Sequence, residues 1–391
     1  MPGSQSKLGQ LAVVVLCVVV VWLVYKMPSP TPISEPLQPP ELLPVSDTKP
    51  TWDGAYPFLV IRIVSPNAKR YRFEIAISNI KPTVRHETAV NEFQVDLHSG
   101  MFVLRQTDLF VPDVMPLLLT RTYRPWDLNV RAFGVGTNHP YDICPTGTRF
   151  PYTYQDLNLE DFRQIHFARI SRGTGYADAV FRHSDTSSEF FGAQDAWNGN
   201  GWTLTFADGR KFLFPEAYHA RTFAQGAPTD MSDSAGHHIR LDRDAARNLK
   251  QLVSPSGHVI SFQYDAANRI VEASDDAGNV RDYDYDPTGH LETVTDKTDV
   301  LYRFRYERLL NWRGYDPYLM TQIEDGKGRV LLRNEFADHS RVSAQILANG
   351  QAVRYEYLYN RRHDIVETTV TLPDGKRQRF FFKEGKPASK M

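Results

Sequence analysis

"SGHVISFQYDAANRIVEASDDAGNVRDYDYDPTGHLETVTD", residues 256–296, holds two turns of a repeating pattern. Gly236, Gly257 and Gly278 stand 21 residues apart. The third, fifth and seventh residues after the last two are Ile260, Phe262 and Tyr264, then Arg281, Tyr283 and Tyr285. In the next unit Asp299 takes the glycine position and the series runs Tyr302, Phe304, Tyr306. Alternation of period two over six residues is a strand with one apolar face. Asp244, Asp265 or Asp286 then opens a short turn, in which Asn268 or Gly289 supplies a residue that tolerates positive φ. Ile270 or Leu291 begins the return strand. Each unit reads as a β-hairpin that cannot bury its aromatic face alone, so successive hairpins are expected to stack into one continuous curved sheet. Gly328 and Gly350 head two more units after an insertion around Asn311 to Pro317, and "DGKRQRFFF" from Asp374 begins an incomplete one.

The acidity of residues 275–296 invites a calcium reading, which needs six to eight oxygens on one point. Strand side chains alternate in direction and keep Asp282 and Asp284 on the face opposite Tyr283 and Tyr285. Asp275, Asp276 and Asp286 fall where a turn uses a carboxylate to hold nearby backbone amides. The acidity is read as turn chemistry and a solvated face.

Composition agrees with an all-β chain. Its 391 residues include 19 Tyr and 22 Phe, strand formers, against 24 Gly and 25 Pro, turn formers. With 45 basic and 46 acidic residues the net charge is -1, which offers no basic face to nucleic acid.

"LAVVVLCVVVVWLVY", Leu11 to Tyr25, is unbroken apolar sequence. Counted from Leu8 as a helix it is roughly 27 Å long, close to the ~30 Å hydrocarbon core of a bilayer. Residues 8–26 are therefore read as a transmembrane helix. A cleaved signal peptide is the rival, although "KMPSPTPISEP" shows no small-x-small cleavage site, and Leu16 before Cys17 speaks against a lipid anchor. The N-terminus is expected in the cytoplasm and the remainder outside the cytoplasmic membrane, periplasmic or extracellular. Cys144 would then be the only exported thiol, leaving no intrachain disulfide. Residues 27–51 are proline-rich and favour an extended polyproline II stalk of up to roughly 70 Å. Across residues 52–90, "PFLVIRIV" and "YRFEIAIS" alternate like a hairpin joined at Pro66 and Asn67.

The recurring Gly, then Tyr-Asp, then Gly or Asn, then Leu or Ile, resembles the YD repeat of RHS (rearrangement hot spot) proteins, bacterial surface and toxin-delivery proteins. Upstream, "FQVDLHSGMFVLRQTDLFVPDVMPLLLTRTYRPW" from Phe93 and "FGVGTNHPYDI" from Phe133 are similar to the domain that commonly opens the repeat region of that family. The resemblance implies an RHS-type N-terminal β domain at 91–215, a YD array at 233–382 and a tail at 383–391. In the family such hairpins spiral into a hollow container around a C-terminal toxin released by self-cleavage. This chain departs from that plan: it ends in "FFKEGKPASKM" without a toxin domain or a family-type cleavage motif. Seven units of two strands at about 4.8 Å make a strip near 67 Å wide. A wall around a cargo of about 100 residues needs a circumference of roughly 157 Å. The strip is too short to enclose a toxin alone.

Other constellations carry little chemistry. His237 and His238 are neighbours on a strand and face opposite ways, so they do not pair on a metal. His139, Asp142 and Cys144 are close in sequence, which does not supply the geometry of thiol catalysis. Glu160 with Asp161 and Glu324 with Asp325 are consecutive and diverge, whereas glycosidase carboxylates face one another across a cleft. "FGVGTNHP" and "GNGW" read as strand-to-strand turns, and "TLTFADGRKFLF" as two further paired strands. No catalytic, cofactor-binding or metal-binding residue is assigned. Tyr264, Tyr283, Tyr285, Tyr302, Phe304 and Tyr306 are either the core of the repeat or a platform that stacks on sugars.

The expected function is a membrane-anchored RHS-type scaffold outside the cytoplasmic membrane, without enzymatic activity, with glycans or another RHS chain as partners. The alternatives are a truncated toxin-delivery component that completes its shell with another chain, and an enzyme acting on cell-envelope polysaccharide.

Overall fold

In a computed structural model of the chain, the structure describes residues 57–63, 73–79 and 92–388, apart from 162, 186–187, 219, 298, 309–317, 338–339 and 384–385. The expected anchor at 8–26, the stalk at 27–51 and the insertion at 311–317 lie outside the described residues. Among the described residues no helix is long and apolar enough to cross a membrane. The two alternating runs of the 52–90 segment do pair, Pro57–Ile63 antiparallel to Phe73–Asn79.

The dominant element is an antiparallel sheet of 22 strands, from Cys144–Gly147 to Lys386–Ala388, in which each strand is bonded to the strands before and after it in sequence. It is already under way well ahead of Gly236, so the stretch from Cys144 to Pro215 is continuous with the repeat array rather than separate from it. "GNGW" joins Gln194–Trp197 to Gly201–Thr205, which pairs in turn with Lys211–Pro215.

One turn geometry recurs. The amide three residues on bonds back to the carbonyl of the first turn residue, as from Asn268 to Asp265 (3.0 Å), Gly278 to Asp275 (3.2 Å) and Gly289 to Asp286 (2.9 Å). The donating residue, fourth in the turn, has positive φ: 88° at Gly236, 90° at Gly257, 82° at Gly278, 76° at Gly328 and 81° at Gly350, but also 73° at Arg247 and 59° at Asn268. The unit without a glycine departs from expectation. Asp299 is not a turn residue but the first of a strand, paired with Asp296, and Lys297 takes the positive φ (55°) in a tighter loop. A register shift between Val294 and Thr295 absorbs the missing length.

Another shift recurs immediately before Tyr264, Tyr285 and Tyr306. Such a bulge bends the strand and increases its twist. Successive hairpins accordingly pair over only three residues, Gln251–Val253 with Val259–Ser261 and Glu272–Ser274 with Val280–Asp282, and part beyond them. At the first edge of the sheet, Pro145 occupies a position whose backbone points away from the neighbouring strand, because the bonded positions alternate from the Thr148 amide on Tyr154 O. A proline there removes no ladder bond.

Residues 93–143 do not extend the sheet; they lie on one face of it. Val95, Phe102, Leu109, Leu117, Leu119, Tyr123 and Phe133 form one buried cluster with array side chains from Met231 to Phe382. A second cluster, with Phe167, Phe181, Trp202 and Phe214, belongs to residues 143–214.

Candidate functional site: the covered aromatic face

The six aromatic side chains singled out in the sequence occupy the covered face. Tyr283 and Phe304 are fully buried, and Tyr264, Tyr285, Tyr302 and Tyr306 are partly buried against the same cluster. They pack in the core, on the face that the chain itself occupies. Removing each such ring from water contributes about 2 kcal/mol, the reason the hairpins and their cover hold together.

The bulges explain how the cover attaches. Where neighbouring hairpins part, backbone groups lose their ladder partners and must find others. The carbonyls are met by tyrosines: Tyr264 donates to Leu249 O (2.9 Å), Tyr285 to Ile270 O (2.5 Å) and Tyr357 to Val342 O (2.7 Å), each reaching fifteen residues back. The amides are met by the covering segment. Ile270, Met320 and Val342 hold equivalent positions, each paired with the residue just after a bulge. Their N–H groups donate to Ala132 O (2.7 Å), the Tyr123 hydroxyl (3.1 Å) and Gly100 O (2.8 Å). One amide per hairpin is thus taken up by the cover in at least three hairpins. The hydroxyl of Tyr306, in the hairpin between, is buried without a partner.

A buried ion pair marks the middle of the seam. Arg121 and Asp108 bond through two nitrogens and two oxygens, one contact being 2.9 Å, and the Tyr283 hydroxyl donates to Asp108 Oδ2 (2.9 Å). The guanidinium lies 5.6–6.0 Å from the ring centres of Phe133, Tyr283 and Phe304. Beside the carboxylate, with burial opposing, Arg121 is held above its ordinary pKa. At the periphery, Asp113 accepts from the Ser256 amide (2.9 Å) and hydroxyl (2.8 Å), and the Ser254 hydroxyl first, then these contacts, hold its carboxyl well below the usual range. Gly134, from "FGVGTNHP", packs so closely on an array turn that a Cβ would lie 2.4 Å from Gly289 O.

The remaining sequence candidates are engaged elsewhere. Asp275 Oδ1 accepts from the amides of Ala277 (3.0 Å) and Asn279 (2.9 Å), and Asp286 Oδ1 from those of Thr288 and His290 (2.9 Å each). Asp276 differs from expectation: its carboxylate pairs with His258 (2.8 Å) across adjacent turns. His237 and His238 take separate carboxylates, Asp233 (2.7 Å) and Asp230 (2.8 Å). Asp161 is buried among Arg105, Arg124 and Arg163. Glu324 accepts from Gln322 (2.7 Å), and Asp325 holds the amides of its turn. His139 is fully buried, 3.9 Å from Asp142, and burial lowers its pKa. Cys144 is buried and lies against Gly226. Among the described residues no group of three or more His, Cys, Asp or Glu is placed to hold a metal ion.

The Arg121–Asp108 pair escaped the sequence reading, since its partners lie on two strands and acquire meaning only against Tyr283. Also missed was a row of exposed aromatics around Phe150. "FPYTY", Phe150 to Tyr154, was its one local signal.

A sequential hairpin sheet whose aromatic face is sealed by the segment preceding it defines a β-hairpin repeat protein. Residues 244–280 and 264–300 match the RHS repeat family, and residues 93–169 match a domain of unknown function, DUF6531. The chain thus carries RHS, or YD, repeats and, ahead of them, the domain that often precedes such repeats. None of the curated proteins matches it. Among solved structures, "TcdB2-TccC3-TEV" is similar at 11% identity, over 71% of this chain and 19% of that one, with a TM-score of 0.27. The Tc holotoxin pore of Photorhabdus luminescens is similar at 13% identity, over 72% and 14%, with a TM-score of 0.25. A porin-like protein of Bacteroides uniformis matches at 9% identity, over 77% and 96%, with a TM-score of 0.19. The chain spans less than a fifth of the length of the Tc proteins it matches.

Proposed function

We propose that the chain is a non-enzymatic RHS-type scaffold, anchored in the cytoplasmic membrane by residues 8–26, spaced from it by the 27–51 stalk, and presenting its hairpin sheet outside. The observation that carries this reading is the sealed face. The surface that would have to enclose a cargo is filled by residues 93–143, through one amide in each of three hairpins and a continuous apolar cluster. A filled sheet is suited to presentation rather than to containment. The test is topology in cells: alkaline phosphatase fused after Met391 is active, and a fluorescent protein that folds only in the cytoplasm is dark. A bright fluorescent fusion, or recovery in the soluble fraction, rejects the anchored reading.

A second reading, a component that joins another RHS chain, is favoured by the last long strand. Arg377–Lys383 is bonded by Lys386–Ala388 only at Phe381–Lys383. Counting from the Leu372 amide on Lys376 O, the backbone of Arg377 and Arg379 points outward, and among the described residues no strand pairs with it. Such an edge accepts a strand from a partner. Under this reading R379P, which removes an outward N–H without breaking the ladder, abolishes concentration-dependent association in sedimentation; a chain that stays monomeric when mixed with other RHS chains rejects it.

A further inference from the structure

Phe150, Tyr218 and Tyr176 are 74%, 52% and 45% exposed, and the buried ring of Tyr152 lies between Phe150 and Tyr176. Phe150 adjoins Tyr218 at 6.1 Å between ring centres and Tyr152 at 5.8 Å; Tyr152 adjoins Tyr176 at 6.0 Å, and Tyr176 adjoins Trp197 at 5.0 Å. Phe150 is held there by a backbone with φ of 50°, a conformation a bulky residue adopts only under constraint. Three of these four ring pairs stand at 75–80°, so the rings form ridges and clefts instead of a flat platform.

Beside Tyr218 opens a cavity of about 270 Å³, lined among others by Pro145, Gly147, Arg149, Arg221 and Thr222, and among the described residues by no carboxylate or carboxamide. Arg149 lies 5.1 Å over Tyr152, and its Nη1 is buried without a partner. The adjacent carboxylate, Glu216, already receives Trp202 Nε1 (3.0 Å) and Arg149 Nη2 (3.4 Å). The outward amide of Gly147 adds one more donor.

We propose that this cleft binds an acidic proline-rich peptide in the polyproline II conformation. Perpendicular aromatic ridges receive prolyl rings in the clefts between them. Proline-rich backbone presents carbonyl acceptors and few amides, which suits a wall that offers guanidinium groups, threonine hydroxyls and one amide beside the Tyr218 ring. The two arginines take the acidic side chains. For a sugar the described wall supplies hydroxyl acceptors alone, without the carboxylates or carboxamides that fix sugar hydroxyls in pairs.

The test is fluorescence polarisation of the full chain with a labelled decapeptide carrying proline at every third position and glutamate between. Saturable binding is expected, weakened roughly tenfold or more by Y218A, by F150A and by R149M, and lost when the prolines of the peptide become alanine. The first two rings are exposed, so their variants should melt as the wild type does, which separates lost binding from lost folding. No saturable binding, full affinity in Y218A and F150A, equal binding of the alanine peptide, or Tyr218-dependent binding of polygalacturonate in its place each overturns the proposal. None of these outcomes bears on the anchored-scaffold reading, which rests on residues elsewhere.

Discussion

At Gly278 an added methyl group would meet nothing within 4 Å, whereas at Gly134 it would lie 2.4 Å from a carbonyl oxygen of the array. The first glycine is needed for its φ alone, the second for close approach as well. Gly278→Ala should therefore destabilise by about 1–2 kcal/mol, the strain of a left-handed alanine, and Gly134→Ala by at least twice that, as read from urea unfolding midpoints. A second contrast concerns hydroxyls. Tyr285 donates to Ile270 O, while the Tyr306 hydroxyl is buried without a partner. Tyr285→Phe should lose about 1 kcal/mol, and Tyr306→Phe should be neutral or stabilising in the same assay. Equal losses at the two positions would show that the tyrosines act through their rings and not through the parted carbonyls.

The hairpin was legible in sequence because each ingredient is local: an alternation over six residues, an aspartate that holds its own turn, a residue that tolerates positive φ. The turn at Lys297 was not, because the length lost there is recovered by a register shift two residues away. The burial of Tyr283 was open between core and platform, for a period of two tells which residues share a face and not what lies on it. What covers the face depends on contacts across 175 residues, as between Asp108 and Tyr283. That contact supports a double-mutant test. Arg121→Met alone leaves Asp108 buried and uncompensated, a loss of roughly 3–5 kcal/mol. Asp108→Leu combined with Arg121→Met should recover most of it, because neither charge is then stranded. Additive losses would mean that the pair is not coupled.

Over the described residues, the 22 strands of the long sheet at about 4.8 Å make a ribbon near 106 Å wide, half as wide again as the repeat units alone suggested and still short of a cargo shell. Its stability should depend on pH from two directions. Asp195 is buried with only the Ala196 amide opposing desolvation, and its pKa is pushed up to about 8. The folded chain keeps a proton there that the unfolded chain releases above the ordinary carboxylate range, so this contribution is present in acid and lost as pH climbs towards 8. His139, fully buried near Asp142, Arg243 and Tyr141, has a lowered pKa, so its contribution is lost as pH falls below the ordinary histidine value. Asp195→Asn should raise the melting temperature at pH 8 more than at pH 5 and flatten the profile between them. An unchanged profile would mean that Asp195 is not held protonated.

Pro145 gives the ribbon a direction. Of the outward positions on the first strand, Pro145 has no amide to offer an incoming chain and Gly147 has one, whereas at the far margin Arg377 and Arg379 both keep theirs. Lengthening by strand addition is therefore biased: the far margin presents the longer row of donors, and a further strand is gained there more readily than at the near margin.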